Sequence, residues 1–227
     1  MSKGKISVRR ELREPDAFIK TTYSVVNYVK KHLRLISIVA VIIVTVAATA
    51  IGAYWYTNDR NHTAQQLLNQ ALNNLGNQSS QPDTGTNQQL DTILTSYKNT
   101  IARPVASYLS ANQKYRVGNL SEAAELYQNN DKVADRYLKD LQRLGLATIY
   151  FKQKKYADTI SILERMQTER SFINEDLYIL LGLSYEKSEQ LEKAVATYEN
   201  MIQLLQNSFF KPWAEERLLS LQNQVKS

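Results

Sequence analysis

The sequence predicts an all-α protein, with a single N-terminal transmembrane helix followed by a solenoid of stacked helix pairs. Three observations carry that expectation: an uncharged apolar run at Leu35–Tyr56, a helical apolar period in the segments that follow, and a pattern that returns every 35–36 residues beyond residue 104. Only seven glycines occur in 227 residues, and no segment alternates apolar and polar residues as a half-buried strand would.

The run LISIVAVIIVTVAATAIGAYWY has no acidic or basic side chain. As a helix its length is roughly 33 Å, enough to cross a hydrocarbon core of about 30 Å. Lipid offers backbone amides no partner, so a spanning segment must satisfy them within its own helix. Lys30, Lys31 and Arg34 stand before the run and Tyr54, Trp55 and Tyr56 close it, residue types suited to the two membrane interfaces. Ala48-Thr49-Ala50 has the small-x-small form of a signal-peptide cleavage site. The charged segment before it is too long for a signal peptide and the apolar run continues past it, which favours an uncleaved anchor.

The net charge of +6 is localised. Residues 1–34 hold nine Lys/Arg against Glu11, Glu14 and Asp16, and residues 57–227 balance to zero. All of the positive excess therefore lies before the span, which places the N-terminus in the cytoplasm and the long C-terminal part across the membrane. Beside a span, a basic tail serves topology and anionic lipid rather than nucleic acid. The absence of cysteine excludes disulfides, thiol catalysis and cysteine metal sites.

In order, the expected organisation is a basic cytoplasmic segment at 1–32, the transmembrane helix at 33–57, a helical spacer at 58–103 and a repeat region at 104–227. Pro15-Asp16 opens a helix whose Phe18, Thr22, Val25, Val26, Val29 and Leu33 share one face, either lying along the headgroups or extending the span. Asn58 or Asp59 is placed to cap a new helix through Leu75, on which Ala64, Leu67, Leu68, Ala71, Leu72 and Leu75 follow the amphipathic rule. The stretch 76–88, polar with two Gly and a Pro, reads as a loop. Short helices then follow around Leu90–Tyr97 and after Pro104.

The repeats fall at about 104–130, 131–168 and 175–208. Leu120, Tyr156 and Leu191 are in register, as are Ala123, Thr159 and Ala194, then Tyr127, Leu163 and Tyr198; Tyr115, Tyr150 and Tyr185 align before them, with the first helix of copy one displaced by about a residue. These residues resemble the tetratricopeptide repeat (TPR), a helix-turn-helix unit of about 34 residues. The third copy matches best, through Tyr178, Leu181, Gly182, Tyr185, Ala194 and Tyr198. Small Gly182 and Ala194 let paired helices approach while the larger residues fill the space around them. Pro212-Trp213 begins a capping helix at 212–225, with Trp213, Leu218 and Leu221 apolar and Glu215, Glu216 and Arg217 towards water.

Nothing in the sequence builds an enzyme. His32 and His62 are too far apart to form a metal-binding pair, and no phosphate loop, nucleophile elbow or HExxH occurs. Neither cofactor, metal, small-molecule substrate nor nucleic acid is expected; membrane lipid and protein partners are. The first helix of each repeat lines a groove, placing Leu144, Thr148, Phe151 and Lys152 in copy two and Ile179, Leu183, Glu186 and Lys187 in copy three. That strip suits an amphipathic helix or extended peptide. The chain's own helices at 58–75 or 212–224 are the competing occupants.

The whole layout resembles the YfgM-like family of ancillary SecYEG translocon subunits. The likeness rests on the Lys31–Tyr56 anchor, the Ala64–Leu75 helix, Gly118-Asn119-Leu120-Ser121-Glu122-Ala123-Ala124, Leu144-Gly145-Leu146-Ala147 through Gln153-Lys154-Lys155, and Trp213-Ala214-Glu215-Glu216-Arg217-Leu218-Leu219. It departs from the family in a longer segment 1–30 and in the polar 76–88 stretch. The resemblance implies a periplasmic repeat domain working beside the translocon and a membrane-anchored chaperone of the peptidyl-prolyl isomerase type. The alternative is a structural subunit of another envelope complex.

Overall fold

No glycine or proline interrupts the chain between Gly52 and Gly76, and one helix runs through the whole of that stretch. In the computed structural model, which describes residues 26–77, 84–128, 135–169 and 174–225, α1 extends over Leu33–Asn77. Asn58 and Asp59 therefore lie inside α1, and the helix start expected there does not occur. The chain divides into two units, Met1–Asn58 and Asp59–Ser227.

In the first unit, residues 26–31 are helical and a turn at His32, whose N–H meets the carbonyls of Tyr28 and Val29 at 3.1 and 3.2 Å, precedes α1. The large apolar side chains of the run stay exposed, from 38% at Ile36 to 72% at Trp55. Its Ser and Thr hydroxyls are satisfied within the helix: Ser37 Oγ donates to the Arg34 carbonyl at 2.9 Å, Thr45 Oγ1 to that of Val41 at 2.8 Å and Thr49 Oγ1 to that of Thr45 at 3.0 Å. A helix with its polar groups turned inward and its apolar ones outward is built for an apolar solvent. The helix is long and apolar enough to cross a membrane. Most of the expected segment that opens at Pro15, including Phe18, Thr22 and Val25, falls outside the described residues.

In the second unit the described residues form helices joined by short turns. After the last turns of α1 come α2 (Thr84–Ser96), α3 (Arg103–Arg116), α4 (Leu120–Gln128), α5 (Arg136–Lys152), α6 (Tyr156–Thr168), α7 (Glu175–Lys187), α8 (Leu191–Leu204) and α9 (Lys211–Val225). Thr84–Gln88 belong to α2, so the loop expected at 76–88 is corrected at its C-terminal end; residues 78–83 lie outside the described set. The physical reason is Thr86. It is fully buried at helical spacing from buried Leu90 and Ile93, a polar residue in a core position.

Residues 58–103 are also more than a spacer. Ala64, Leu68 and Ala71 of α1 share a buried cluster with Leu90 and Ile93 of α2 and with Ala102 and Ala106. Side-chain bonds tie the same elements: Gln89 Nε2 reaches Gln70 Oε1 at 3.2 Å, and Asn61 Oδ1 accepts the N–H of Ile101 at 3.1 Å. This stretch is a leading helix pair, on which α3 packs.

The next three pairs, α3/α4, α5/α6 and α7/α8, turn in one way. Gly118, Lys154 and Glu189 adopt φ of +83°, +60° and +58°. The following N–H reaches back five residues in each, from Asn119 to Lys114, from Lys155 to Tyr150 and from Gln190 to Tyr185, all at 2.9 Å. This is the left-handed helix ending that satisfies the last carbonyls. It aligns Lys114, rather than Tyr115, with Tyr150 and Tyr185, the one-residue displacement expected from sequence. Entering helices are capped by side chains: Asp135 accepts from the N–H of Leu138 at 2.8 Å and Asn174 from that of Leu177 at 2.9 Å.

One core cluster joins α5 to α9, from Ala147, Leu163 and Leu177 through Tyr178, Leu181, Ala194 and Tyr198 to Ala214 and Leu221. A smaller one links Ala111, Ala123, Tyr127 and Ile149. Buried Thr159, the polar substitute in copy two, loses nothing by burial, since its Oγ1 donates to the Lys155 carbonyl at 3.0 Å.

Candidate protein-binding groove

The first helices of successive pairs lie side by side, α5 touching both α3 and α7. Their shared face is the candidate groove. Where α3 meets α5, the exposed Lys152 ammonium lies 4.3 Å from the centre of the Tyr115 ring, a cation–π contact that spans the two helices. Thr148, half-buried one turn earlier, donates to the Leu144 carbonyl at 2.8 Å.

At the other end, α9 takes part of the strip for itself. Glu186 is only 8% exposed at its side chain and receives both Nε (2.9 Å) and a terminal nitrogen of Arg217. Its Oε1 also accepts from the Tyr198 hydroxyl at 2.8 Å. Burial, followed by the Glu186 carboxylate, pushes the Tyr198 hydroxyl pKa up, while Glu186 raises that of Arg217. The Arg217 fork is a charge-assisted clamp from the capping helix onto α7. Arg217, expected in water, is thus an internal partner.

The eight groove residues consequently separate. Leu144 and Ile179 pack partly against the core. Phe151 turns towards its own pair, edge-on to Tyr156 at 5.4 Å. Glu186 is bound to α9. Thr148 and Leu183 are half-buried, and Lys152 and Lys187 are exposed, leaving a short mixed strip accessible. No sequence signal joined Tyr115 or Arg217 to this face, because each is linked to it only through a distant residue.

The repeat-packing residues are placed at the core: Tyr178, Leu181, Tyr185 and Ala194 are buried, and Tyr198 is fully enclosed. A Cβ added to Gly182 would come within 2.5 Å of the Tyr198 ring, so the ring lies directly on the glycine. Gly145 of α5 bears the Tyr127 ring of α4 in the same way, also at 2.5 Å. The membrane-interface residues Lys30, Lys31 and Arg34 precede the apolar run, and Tyr54, Trp55 and Tyr56 at its end are all exposed.

With paired helices, shared turns and small-residue contacts established, the family follows. A model of a tetratricopeptide repeat-like domain matches residues 27–223. The chain belongs to this family. A search of curated proteins finds no match. Among solved structures, the first TPR domain of Spaghetti (RPAP3), bound to the HSP90 peptide SRMEEVD, aligns over 55% of this chain and 96% of that one, at 22% identity and a TM-score of 0.46. The TPR-like fold is a scaffold for protein–protein interaction. Among the described residues, no group of three or more His, Asp or Glu side chains is arranged to hold a metal ion.

Proposed function

We propose that this chain is a membrane-anchored TPR-like scaffold in the periplasm, which holds a protein partner close to the Sec translocon. The partner is a periplasmic chaperone or an emerging secreted chain. The observation that carries the proposal is that one chain combines an exposed apolar helical run with an accessible strip of Thr148, Lys152, Leu183 and Lys187 on its repeats. A scaffold needs both: the span fixes position, and the mixed strip offers apolar contact with charge at its edge. The positive excess confined to residues 1–34 supports a cytoplasmic N-terminus, and the resemblance to the translocon subunits supports the location.

A second reading is a structural subunit of another envelope complex. It draws on the Glu186–Arg217 clamp, which fixes one end of the strip in advance and so favours one constant neighbour over varied chains. Photo-crosslinkers at Leu183 and Lys187, followed by purification of the full chain from native membranes, separate the two. Translocon and chaperone adducts are the expected result. Adducts to neither would sink the first reading, and a single stoichiometric complex lacking the translocon would favour the second.

A further inference from the structure

The turn between α2 and α3 is held to the end of the chain nearest the apolar run. The N–H of Ile101 is bonded to Asn61 Oδ1 at 3.1 Å, and the Arg60 guanidinium lies 5.2 Å from the centre of the Tyr97 ring while donating to the Ser96 carbonyl. Asn61 is five residues beyond Tyr56. Five residues reach at most about 18 Å in any conformation, so chain connectivity alone keeps this turn close to the interface where the span ends.

The turn has the chemistry of a lipid surface. Ile101 is 65% exposed at its tip. Beside it opens a cleft of about 820 Å³, lined among others by Ile101, Val105, Tyr108, Tyr137, Leu138 and Leu141, so the apolar surface is continuous. Lys98 and Arg103 flank it, and among the described residues neither forms an ion pair. The Nε of Arg103 is buried without a hydrogen-bond acceptor among them. Asp135 also borders the cleft, but its carboxylate is committed to the N–H of Leu138. Asp59 is the acidic residue of α1, next in sequence to Arg60. Exposed apolar surface flanked by Lys98 and Arg103 complements anionic headgroups above acyl chains.

We propose that the turn at residues 97–103 rests on the membrane that anchors the chain. Ile101 enters the headgroup–acyl boundary, and Lys98 and Arg103 meet anionic lipid phosphates. The contact makes the anchor a two-point attachment and limits how far the repeats swing about the span. It depends on the span belonging to a membrane, the premise of the proposed function.

The chain has no cysteine, so one introduced thiol reports on one place. Asn99→Cys, exposed in the turn, and Gln206→Cys, exposed after α8, are each labelled with an environment-sensitive fluorophore in the full chain. The chains are placed in nanodiscs of phosphatidylcholine and phosphatidylglycerol carrying a headgroup-level spin-label quencher. The expected result is a loss of emission at position 99 and none at 206. That loss is reduced by Lys98→Gln, by Ile101→Ser and by discs of phosphatidylcholine alone. Equal emission loss at both positions, or none at 99, would overturn the contact, as would loss only when two chains share a disc, which would assign the turn to a second copy. Retention in discs through a high-salt wash is scored separately. A chain washed out refutes the span itself, whereas a retained chain without quenching refutes only the surface contact.

Discussion

The Tyr198 ring packs against the bare Cα of Gly182, and a methyl group there would sit 2.5 Å from it. Two forces of opposite sign meet at this position. Inside a helix, alanine is favoured over glycine by about 1 kcal/mol. The ring cannot withdraw cheaply, because Tyr198 is fully buried, edge-on to Trp213 at 5.6 Å and tied through its hydroxyl to Glu186. Overpacking costs about 1–3 kcal/mol, so Gly182→Ala is expected to lower stability against the propensity trend. In a Tyr198→Leu background the same substitution is expected to be neutral or better, read by thermal melts of all four chains. An equal cost in both backgrounds would rule out the ring as the cause.

The same tyrosine is part of the clamp that seats α9. Arg217→Ala removes both nitrogens bonded to Glu186 and leaves a carboxylate 8% exposed with, among the described residues, the Tyr198 hydroxyl still donating to it. The expected cost is about 1–2 kcal/mol, moderated because the arginine itself is half in solvent. Hydrogen exchange should quicken first in α9. Adding Glu186→Gln is expected to restore part of the loss, since glutamine still accepts from Tyr198 and buries no charge. If the double variant exchanges faster than Arg217→Ala, the buried charge is not the source of the cost.

Glu169 supplies a pH test. Hydrogen bonds from Arg143 at 2.6 Å and Arg165 at 2.8 Å hold its carboxyl at about 2, well below the ordinary carboxylate range. A carboxyl depressed on folding adds stability above its unfolded pKa and loses it as pH falls towards the folded value. Wild type should therefore exceed Glu169→Gln in denaturant midpoint at pH 6–7, with the gap closing between about pH 4.5 and pH 2. Because the carboxylate is exposed, added salt should narrow the gap at neutral pH. A gap independent of both pH and salt would assign the effect to something other than the ion pairs.

How much of this was legible in the sequence depended on whether the signal was carried by one residue type. The span announced itself because no charge interrupts Leu35–Tyr56, and copy three did so because Gly182, Ala194 and Tyr198 are selected by shape. The start of α2 was hidden because Thr86 holds a core position with a polar side chain. Arg217 read as a solvated charge because its partner Glu186 lies 31 residues away, a pairing no local pattern encodes. The groove is the least legible part: repeat position assigns Glu186 and Phe151 to it, while the first is consumed by α9 and the second by Tyr156.

The three equivalent turns give a prediction that concerns the backbone alone. Gly118 occupies the left-handed position in α3/α4, but Lys154 and Glu189 occupy it in the next two pairs. A side chain in that conformation costs roughly 1 kcal/mol. Among the described residues, neither Lys154 nor Glu189 forms an ion pair that would offset it. Lys154→Gly and Glu189→Gly are therefore each expected to raise stability by about 0.5 kcal/mol, net of the greater freedom glycine brings to the unfolded chain. The gains should add, since the turns belong to separate helix pairs. On the same balance Gly118→Ala should cost about 0.5 kcal/mol, although a Cβ there meets nothing within 4 Å. Denaturant midpoints of the single and combined variants decide the matter. Loss of stability on introducing glycine at 154 or 189 would mean that the side chain contributes more than its backbone strain removes.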